Sequence, residues 1–313
     1  MKKKVFFILG VLFYNFTIAN TIFSLKDKVE DGFGTVKDQE NSTDLKVITW
    51  NIQDLGGAKN SLEISFIAQI IKNYDIIAIQ EVVAKDPKGA QAIAKIVSEL
   101  NRLGSKWDYS ISNPTKSPSS YISERYAYIW KTSKLRLLQK PTLDVLLENV
   151  IEREPYLAKF EIIKNKKIVY FINMHARVYN RKPEIEIAHF KKYPKRLQTD
   201  AIFILGDFNL DENHTVWNPL YKMGFKPAIK NTATTLKIKC KNVSYVSHSI
   251  DNIYYYTNKI TFVKSGVLDF VTSCANLESA RKISDHLPVF LELTVKRTVF
   301  NLESTMKLIE NDR

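Results

Sequence analysis

The sequence predicts an α+β fold, a four-layer α/β/β/α sandwich in which two packed mixed β-sheets are flanked by helices. Three observations predict it. Strand-like and helix-like segments alternate early in the chain, give way to successive strands in the middle and alternate again towards the end, an order that suits two sheets face to face with helices outside. Ala201–Leu205 (AIFIL) is a continuous apolar run, the mark of a strand covered on both faces. The composition is 45% hydrophobic and 12% aromatic, with only 10 Gly and 10 Pro in 313 residues; such a chain can bury a large core, which excludes disorder and low complexity.

The elements follow in order. Met1–Lys4 (MKKK) and the apolar stretch Val5–Ala19 have the form of a secretory signal, with Thr17 and Ala19 as the small residues before a cut at Asn20. The stretch falls short of the ~20 residues of a membrane span and contains Asn15, so residues 1–19 are expected to be a signal peptide and the mature chain to keep no membrane anchor. Residues 20–44 form a polar leader, 45–295 one catalytic domain, and 296–313 a C-terminal tail. Lys46–Asn51 and Asp75–Gln80 are short and β-branched, hence strands. Between them Leu62, Ile64, Phe66, Ile67, Ile70 and Ile71 recur at helical spacing over Ser61–Asn73, and Pro87–Leu103 repeats the pattern with Ile93, Ile96, Val97 and Leu100. Tyr126–Trp130, Leu135–Leu138, Leu157–Ile163 and Ile168–Met174 read as successive strands, the last two joined by a turn at Lys164–Lys167. Glu184–Leu197 reads as a basic helix on the outside. Ser249–Tyr256 and Leu287–Val295 complete the strands, with Tyr254–Tyr256 assigned to core packing.

Charge narrows the partner. The chain has 46 Lys+Arg against 33 Asp+Glu, a net +13, and without residues 1–19 it keeps 43 basic against 33 acidic side chains, +10. That excess favours a polyanion or a membrane surface over an acidic protein. Two cysteines are too few for a disulfide-built scaffold and have no zinc-site spacing. Export makes a Cys240–Cys274 bond permissible, but sequence gives no distance between them.

Polar residues interrupt the apolar runs at strand ends: Trp50-Asn51, Gln80-Glu81, Asn173-Met174-His175, Gly206-Asp207-Phe208-Asn209, Asp251-Asn252 and Ser284-Asp285-His286. Meeting at one rim, they would gather Asn51, Glu81, His175, Asp207, Asn209, Asp251, Asp285 and His286. Four carboxylates in one cleft disfavour one another's charge, and a hard divalent cation relieves this. Carboxylate and amide oxygens suit Mg²⁺, Mn²⁺ or Ca²⁺. Imidazoles that move protons, amide donors and a cation are what phosphodiester hydrolysis requires. His189, His214 and His248 are read as structural.

WNIQ (50–53), IQEV (79–82), SERY (123–126), EREP (152–155), NMHA (173–176), GDFN (206–209), SIDNI (249–253) and SDHLPV (284–289) occur in that order. The ordered set resembles the endonuclease/exonuclease/phosphatase superfamily, and within it the deoxyribonuclease I branch, over about Leu45–Leu293. The resemblance implies a deoxyribonuclease I-like sandwich and a division of roles. Glu81 would be the principal metal ligand, with Asn51 beside it and Asp285 in support. Asp207 and Asn209 would position water and phosphate. His286, oriented by Asp251, would be the general base, and His175, oriented by Glu124, the general acid. Arg153 would contact a substrate phosphate.

The chain departs from that pattern in places. Val83 stands where deoxyribonuclease I carries a minor-groove Arg, the segment before Glu124 is longer, which puts a contact of Tyr121 to DNA in question, and a Lys-rich insertion precedes Asp251. The family's disulfide has no clear counterpart. The expectation is an exported, metal-dependent endodeoxyribonuclease with little sequence preference that leaves 5′-phosphate ends, takes Mg²⁺ with Mn²⁺ or Ca²⁺ as alternatives, binds DNA through its phosphate backbone, acts as a monomer and works in the periplasm or outside the cell. A sphingomyelinase-type lipid phosphodiesterase and a nuclease toxin subunit are the rival readings.

Overall fold

The computed structural model describes residues 44–119, 121–199, 201–256 and 260–295. The expected signal, the leader apart from Asp44, and the tail lie outside the described residues. Two six-stranded mixed sheets pack face to face, with helices on their outer faces. The first sheet contains β1 (Leu45–Leu55), β2 (Ile76–Val83), β3 (Trp107–Ile111), β4 (Glu124–Lys131), β13 (Ile260–Val267) and β14 (Val289–Val295), in the order β13-β14-β1-β2-β4-β3. The second contains β5 (Leu135–Leu143), β6 (Tyr156–Ile162), β7 (Ile168–His175), β8 (Ile202–Asp207), β9 (Phe225–Pro227) and β12 (Asp251–Tyr256), in the order β5-β6-β7-β8-β12-β9. The hairpin of β10 (Leu236–Lys241) and β11 (Ser244–Val246) stands by itself. The expected α/β/β/α sandwich is what the chain forms.

Side-chain parity assigns each strand residue to a layer, because successive strand residues point to opposite faces. On β1, Ile48, Trp50 and Ile52 meet the outer helices, whereas Leu45 and Val47 join the core between the sheets. On β8, Phe203 and Leu205 face that same core, while Ile202 and Ile204 face the helices of the other outer layer. The apolar run AIFIL is thus buried on both faces. In the central layer Phe171 stacks on Phe203 at 4.9 Å, and Tyr128, Phe160 and Trp130 extend the aromatic chain. Tyr254 and Tyr255 are buried as expected, Tyr254 stacked on Trp217 at 3.8 Å.

Helices α1 (Ser61–Ile71) and α2 (Lys88–Arg102) cover the first sheet. Asn60 starts α1 with a reciprocal cap: its side chain accepts from the Glu63 N–H (3.0 Å), and the Glu63 carboxylate accepts from the Asn60 N–H (2.7 Å). The long basic helix expected over 184–197 is broken instead. It forms α3 (Glu184–Ile187), a 3₁₀ turn at Phe190–Lys192 and α4 (Tyr193–Leu197). Pro194 is the cause, since it lacks an N–H and its ring would meet the carbonyl of Phe190 in a continuous helix; it fits at the start of α4. Arg196 forms an ion pair with Asp144, which also accepts from the Tyr193 hydroxyl. The short α5 (Asn218–Lys222) and α6 (Leu277–Ile283) complete the outer layers. Among the described residues, no helix is long and apolar enough to cross a membrane.

Candidate active site

Register gathers the site. β7, β8 and β12 are neighbours, with His175 opposite Asp207 and Asp207 opposite Asp251. Three chemically active side chains therefore form a row across one sheet edge. That register depends on Gly206, which lies opposite Met174. Gly206 has φ +142°, and a Cβ there would sit 1.8 Å from the Met174 carbonyl oxygen. The glycine of GDFN is therefore a strand residue required by close backbone approach, more than a turn residue.

The first sheet supplies Asn51, Glu81 and Glu124. Asn51 and Gln80 are paired across β1 and β2. Glu81 falls where the β2–β4 register shifts, with φ +62°; such a bulge re-aims its side chain. The Asn51 amide then bridges the two sheets, donating to Glu81 (3.0 Å) and to Asp207 (3.2 Å).

Two imidazoles face Asp207, each held by its own acid. His175 Nδ1 lies 2.8 Å from Glu124 and His286 Nδ1 lies 2.9 Å from Asp251. A carboxylate can only accept, so each Nδ1 carries the proton and each Nε2 faces the cleft. Those Nε2 atoms lie 3.5 Å (His175) and 3.8 Å (His286) from the same oxygen of Asp207. Burial alone would lower both pKa values. For His286 the charges of Asp251, Asp207 and Asp285 outweigh it and raise the imidazole to about 10. For His175, Glu124 likewise prevails over burial and over the opposing charge of Arg153, and the pKa is raised. Asp251 is raised by its burial and by the charge of Asp207, against the pull of His286.

Supporting groups lock this arrangement. Asn209, at φ +50°, donates its backbone N–H to Asp207 (2.9 Å) and its side-chain amide to the Ala176 carbonyl (3.0 Å). Arg153 is buried beneath His175: its Nε lies 3.2 Å from Glu124, and it donates to the carbonyls of Ile122 and Ala176. Asp285 sits at the edge of the cluster, where its charge helps raise the His286 imidazole. Its carboxylate faces Arg281 at 3.7 Å, and it makes no hydrogen bond to Asn51 or Glu81.

Thr234 escaped the sequence reading, and four residues it had placed at strand ends received no role there. Thr234 donates its hydroxyl to Asp251 at 2.6 Å. Ser284 donates to the Asn51 carbonyl and accepts from the His286 N–H, and the Trp50 indole donates to the His286 carbonyl. Between the sheets Gln80 donates to Asn173 at 2.6 Å, and Asn173 donates in turn to the carbonyls of Ile79 and Ala127. Trp50, Gln80, Asn173 and Ser284 had a visible signal as strand-end residues, whereas Thr234 had none. The disulfide left open by the sequence is formed: Cys240 of β10 joins Cys274 just before α6. Tyr121, whose position the longer segment had put in question, is 89% exposed, with the Lys85 ammonium 3.8 Å above its ring.

The donor set fits a hard divalent cation. Asn51 Oδ1 is buried without a hydrogen-bond partner, beside the carboxylate of Glu81. Asp207, Asp251 and His286 form a second group whose ligand atoms lie within 4.8 Å of one another. Oxygen ligands predominate in both places. The two differ in consequence: a cation on His286 would occupy the nitrogen that faces Asp207, whereas one at Asn51 and Glu81 leaves both imidazoles free. An open hollow of about 550 Å³, lined by Lys159, Tyr170 and Gln198, lies by the start of β7, the end opposite His175.

A two-sheet sandwich with two carboxylate-held imidazoles around one acid at its rim defines a hydrolase of phosphodiester bonds. Residues 48–286 match the model of the Endonuclease/Exonuclease/phosphatase family, and the chain belongs to that family, in its deoxyribonuclease I-like branch. It is 27% identical over 268 residues to Deoxyribonuclease-1-like 1 of Sus scrofa, covering 80% of this chain and 81% of that one. Among solved structures, an endonuclease/exonuclease/phosphatase family protein from Bacteroides thetaiotaomicron superposes with TM-score 0.59 at 18% identity (80% of this chain, 97% of that one). A mannosyl-6-phosphatase from the same organism gives 0.57 at 16% (80% and 99%). These two likenesses concern the fold alone.

Proposed function

We propose that the chain is an exported, metal-dependent endodeoxyribonuclease that cuts DNA with little sequence preference and leaves 5′-phosphate ends. The observation that carries the reading is the pair of imidazoles, each oriented by a carboxylate and each presenting Nε2 to Asp207. Water attacks phosphorus, and its proton passes to Nε2 of His286. The P–O3′ bond breaks, and Nε2 of His175 delivers a proton to the leaving 3′ oxygen, so the phosphate stays on the 5′ end. The raised pKa of His175 keeps that proton available near neutral pH. Asp207 and Asn209 position the water and the phosphate, and Arg153 holds Glu124 in place. Mg²⁺ at Glu81 and Asn51 would neutralise charge on the phosphate oxygens and offset the acids that keep His286 protonated.

Val83 has no hydrogen-bond donor or acceptor on its side chain to read base edges, which supports contact with the sequence-independent phosphates. The Cys240–Cys274 bond suits an oxidising compartment, as does the expected signal at residues 1–19. Supercoiled plasmid tests the reading. Nicking with Mg²⁺, Mn²⁺ or Ca²⁺, its loss with EDTA, and 5′-phosphate at the new ends are expected. Release of choline phosphate from sphingomyelin vesicles with no cutting of DNA would overturn it.

A further inference from the structure

Exposed apolar side chains are unevenly placed on this molecule. Single ones on a surface need no explanation. Here Tyr121, Val145, Leu146, Tyr179, Ile238 and Val243 are between 67% and 90% exposed, and no other large apolar side chain among the described residues exceeds 50%. All six lie at one end of the sandwich. Tyr121 precedes β4, which starts at Glu124; Val145 and Leu146 lie between the end of β5 and the start of β6; Tyr179 follows β7, which ends at His175. The antiparallel pairing of β5 with β6 and of β6 with β7 brings the last two of these connections to the same edge. Ile238 and Val243 belong to the β10–β11 hairpin, whose root pairs with the His286 loop: Thr235 bridges His286, and the Leu236 N–H donates to the Asp285 carbonyl at 2.7 Å. The end they share is the one that bears the cleft.

The tips are held in place by polar contacts behind them. Buried Glu186 accepts from the N–H groups of Glu152 (2.6 Å) and Arg177 (2.9 Å), which ties the segment of Leu146 to that of Tyr179. Ser117 donates to the Glu152 carbonyl and Arg153 to that of Ile122, which fastens the segment of Tyr121 to the same group. These three segments stand on the His175 side of the cleft. On the His286 side, the Cys240–Cys274 bond pins the hairpin. At the hairpin turn Asn242 (φ +52°) and Val243 (φ +61°) are both left-handed. Such a turn favours Asn followed by Gly, and a β-branched side chain is strained there. Val243 is almost fully exposed, so no packing within the chain offsets that strain. A strained residue of this kind points to function outside the fold.

The same segments are cationic. Residues 116–123, 145–151, 176–183 and 236–246 carry seven Lys and Arg and one acid, Glu148, which Lys116 pairs at 3.0 Å. Arg177 and Arg181 are engaged by Glu186 and Glu152, whereas Lys182, Lys239 and Lys241 have no ion pair among the described residues. A phosphate backbone would use the lysines and leave the aliphatic tips in water. A protein partner would need a packed apolar core to its interface. Apolar tips on separate loops with free lysines among them suit a fluid, negatively charged interface, where the tips enter the acyl boundary and the ammonium groups meet the headgroups.

We propose that the cleft-bearing end of the molecule is a docking surface for an anionic lipid bilayer, entered by Tyr121, Val145, Leu146 and Tyr179 on one flank of the cleft and by Ile238 and Val243 on the other. Docking holds the protein at a membrane reversibly, with the cleft turned to the bilayer and withdrawn from DNA.

The full mature chain is sedimented with vesicles of equal parts phosphatidylglycerol and phosphatidylcholine, and with vesicles of phosphatidylcholine alone. It is compared with two variants, Ile238→Ser with Val243→Gly, and Leu146→Ser with Tyr179→Ser. Binding to the anionic vesicles is expected, with little to the neutral ones. It should fall as NaCl rises from about 0.1 to 1 M, which cuts the screening length from roughly 10 to 3 Å. Each variant should weaken binding at least about tenfold, the scale for withdrawing an aliphatic side chain from an apolar phase. Val243→Gly also relieves the turn, so the hairpin variant should unfold no earlier than the unmodified chain. Without lipid both variants should nick plasmid at the unmodified rate; with anionic vesicles the unmodified chain should slow and the variants should not. Failure to sediment with the anionic vesicles, or variants that sediment as well as the unmodified chain, overturn the proposal. So does binding that leaves nicking unaffected, because another face would then be docked. Variants that raise KM for plasmid while vesicle binding is unchanged assign the tips to DNA. A dimer in analytical ultracentrifugation that the variants dissolve, without vesicle binding, assigns them to a second copy; either result refutes the bilayer. A chain that sediments as expected but cuts no plasmid removes the deoxyribonuclease reading and leaves the docking surface standing.

Discussion

Asp251→Asn separates catalytic from structural roles at the centre of the site. Asp251 accepts from His286 Nδ1 at 2.9 Å and from the Thr234 hydroxyl at 2.6 Å, and Asp207 lies opposite it on β8. An amide of the same shape can donate to Nδ1, which moves the imidazole proton to Nε2. Nε2 is the atom that must accept a proton from water, so the variant holds the base in the wrong tautomer. Loss of an orienting carboxylate in this way costs a hydrolytic site about 10³–10⁴ in kcat. Stability should respond differently. Burial and the charge of Asp207 raise the pKa of Asp251, so its ionised form opposes folding, and the amide removes that cost. Against this stands the loss of one charge-assisted hydrogen bond, about 1.5–3 kcal/mol. The two effects oppose, which leaves a net change under about 2 kcal/mol and a Tm within roughly 5 °C. The assay is plasmid nicking in Mg²⁺ beside thermal unfolding of the same preparation. A variant that keeps a tenth or more of the wild-type rate would falsify the assignment of His286 as base. Lost activity with a collapsed Tm would refute the electrostatic account of Asp251.

Three further outcomes are expected. His175→Ala should lower nicking about 10²–10⁴-fold, the usual scale for removing a general acid, and full retention in a plasmid assay would exclude that role. Gly206→Ala, which forces a methyl to within 1.8 Å of the Met174 carbonyl oxygen at φ +142°, should destabilise by more than about 3 kcal/mol in urea unfolding; a wild-type midpoint would mean that β7 and β8 can separate cheaply. In metal-free protein the His286 ring should titrate near pH 10 by NMR. Because that folded pKa lies above the unfolded value of about 6.5, His286 contributes stability in full below about pH 6.5 and loses it as pH rises through about 10. Added Mg²⁺ should move the titration down, and a ring that titrates near 6.5 without metal would show that the acids do not act on it.

Much of this site was legible because its residues interrupt strands. Asn51, Glu81, His175, Asp207 and Asp251 each stand where an apolar run meets a polar residue, and the parity of those runs fixes which face a residue takes. Parity does not fix register, however. Nothing in the sequence sets His175 opposite Asp207 or displaces Glu81 by a bulge; backbone pairing and one glycine do that. Thr234 was invisible for a related reason, since it is an unremarkable hydroxyl in a Thr- and Lys-rich stretch until the chain folds back onto Asp251. β13 carries Thr261, Phe262, Lys264 and Ser265 at an exposed sheet edge, so it had no buried face to give a period. The Cys240–Cys274 pair needed a distance, and the break in the 184–197 helix needed the weight of one proline over an otherwise helical pattern. Position in a motif likewise did not give Asp285 its partner: Arg281, four residues earlier, lies 3.7 Å from its carboxylate.

Neither sheet holds the whole chemistry. The second supplies His175, Asp207 and Asp251, the first supplies Asn51, Glu81 and Glu124, and the acid that orients His175 lies across the interface from it. An apolar interface alone would let the layers slide with little penalty, since hydrophobic attraction is non-directional. The direction comes from buried polar groups. Gln80 reaches Asn173 across the core, Asn173 reaches two carbonyls of the opposite sheet, and the Tyr126 hydroxyl accepts the His175 N–H. A slip of one residue would strand each of these at about 1–3 kcal/mol apiece. Gln80, Asn173 and the His175 N–H all lie within two strand positions of Glu81 or His175, so the penalty for misalignment is greatest where tolerance for it is least. The polar pairs inside the sandwich thereby convert a sheet-packing problem into a site held to hydrogen-bonding precision.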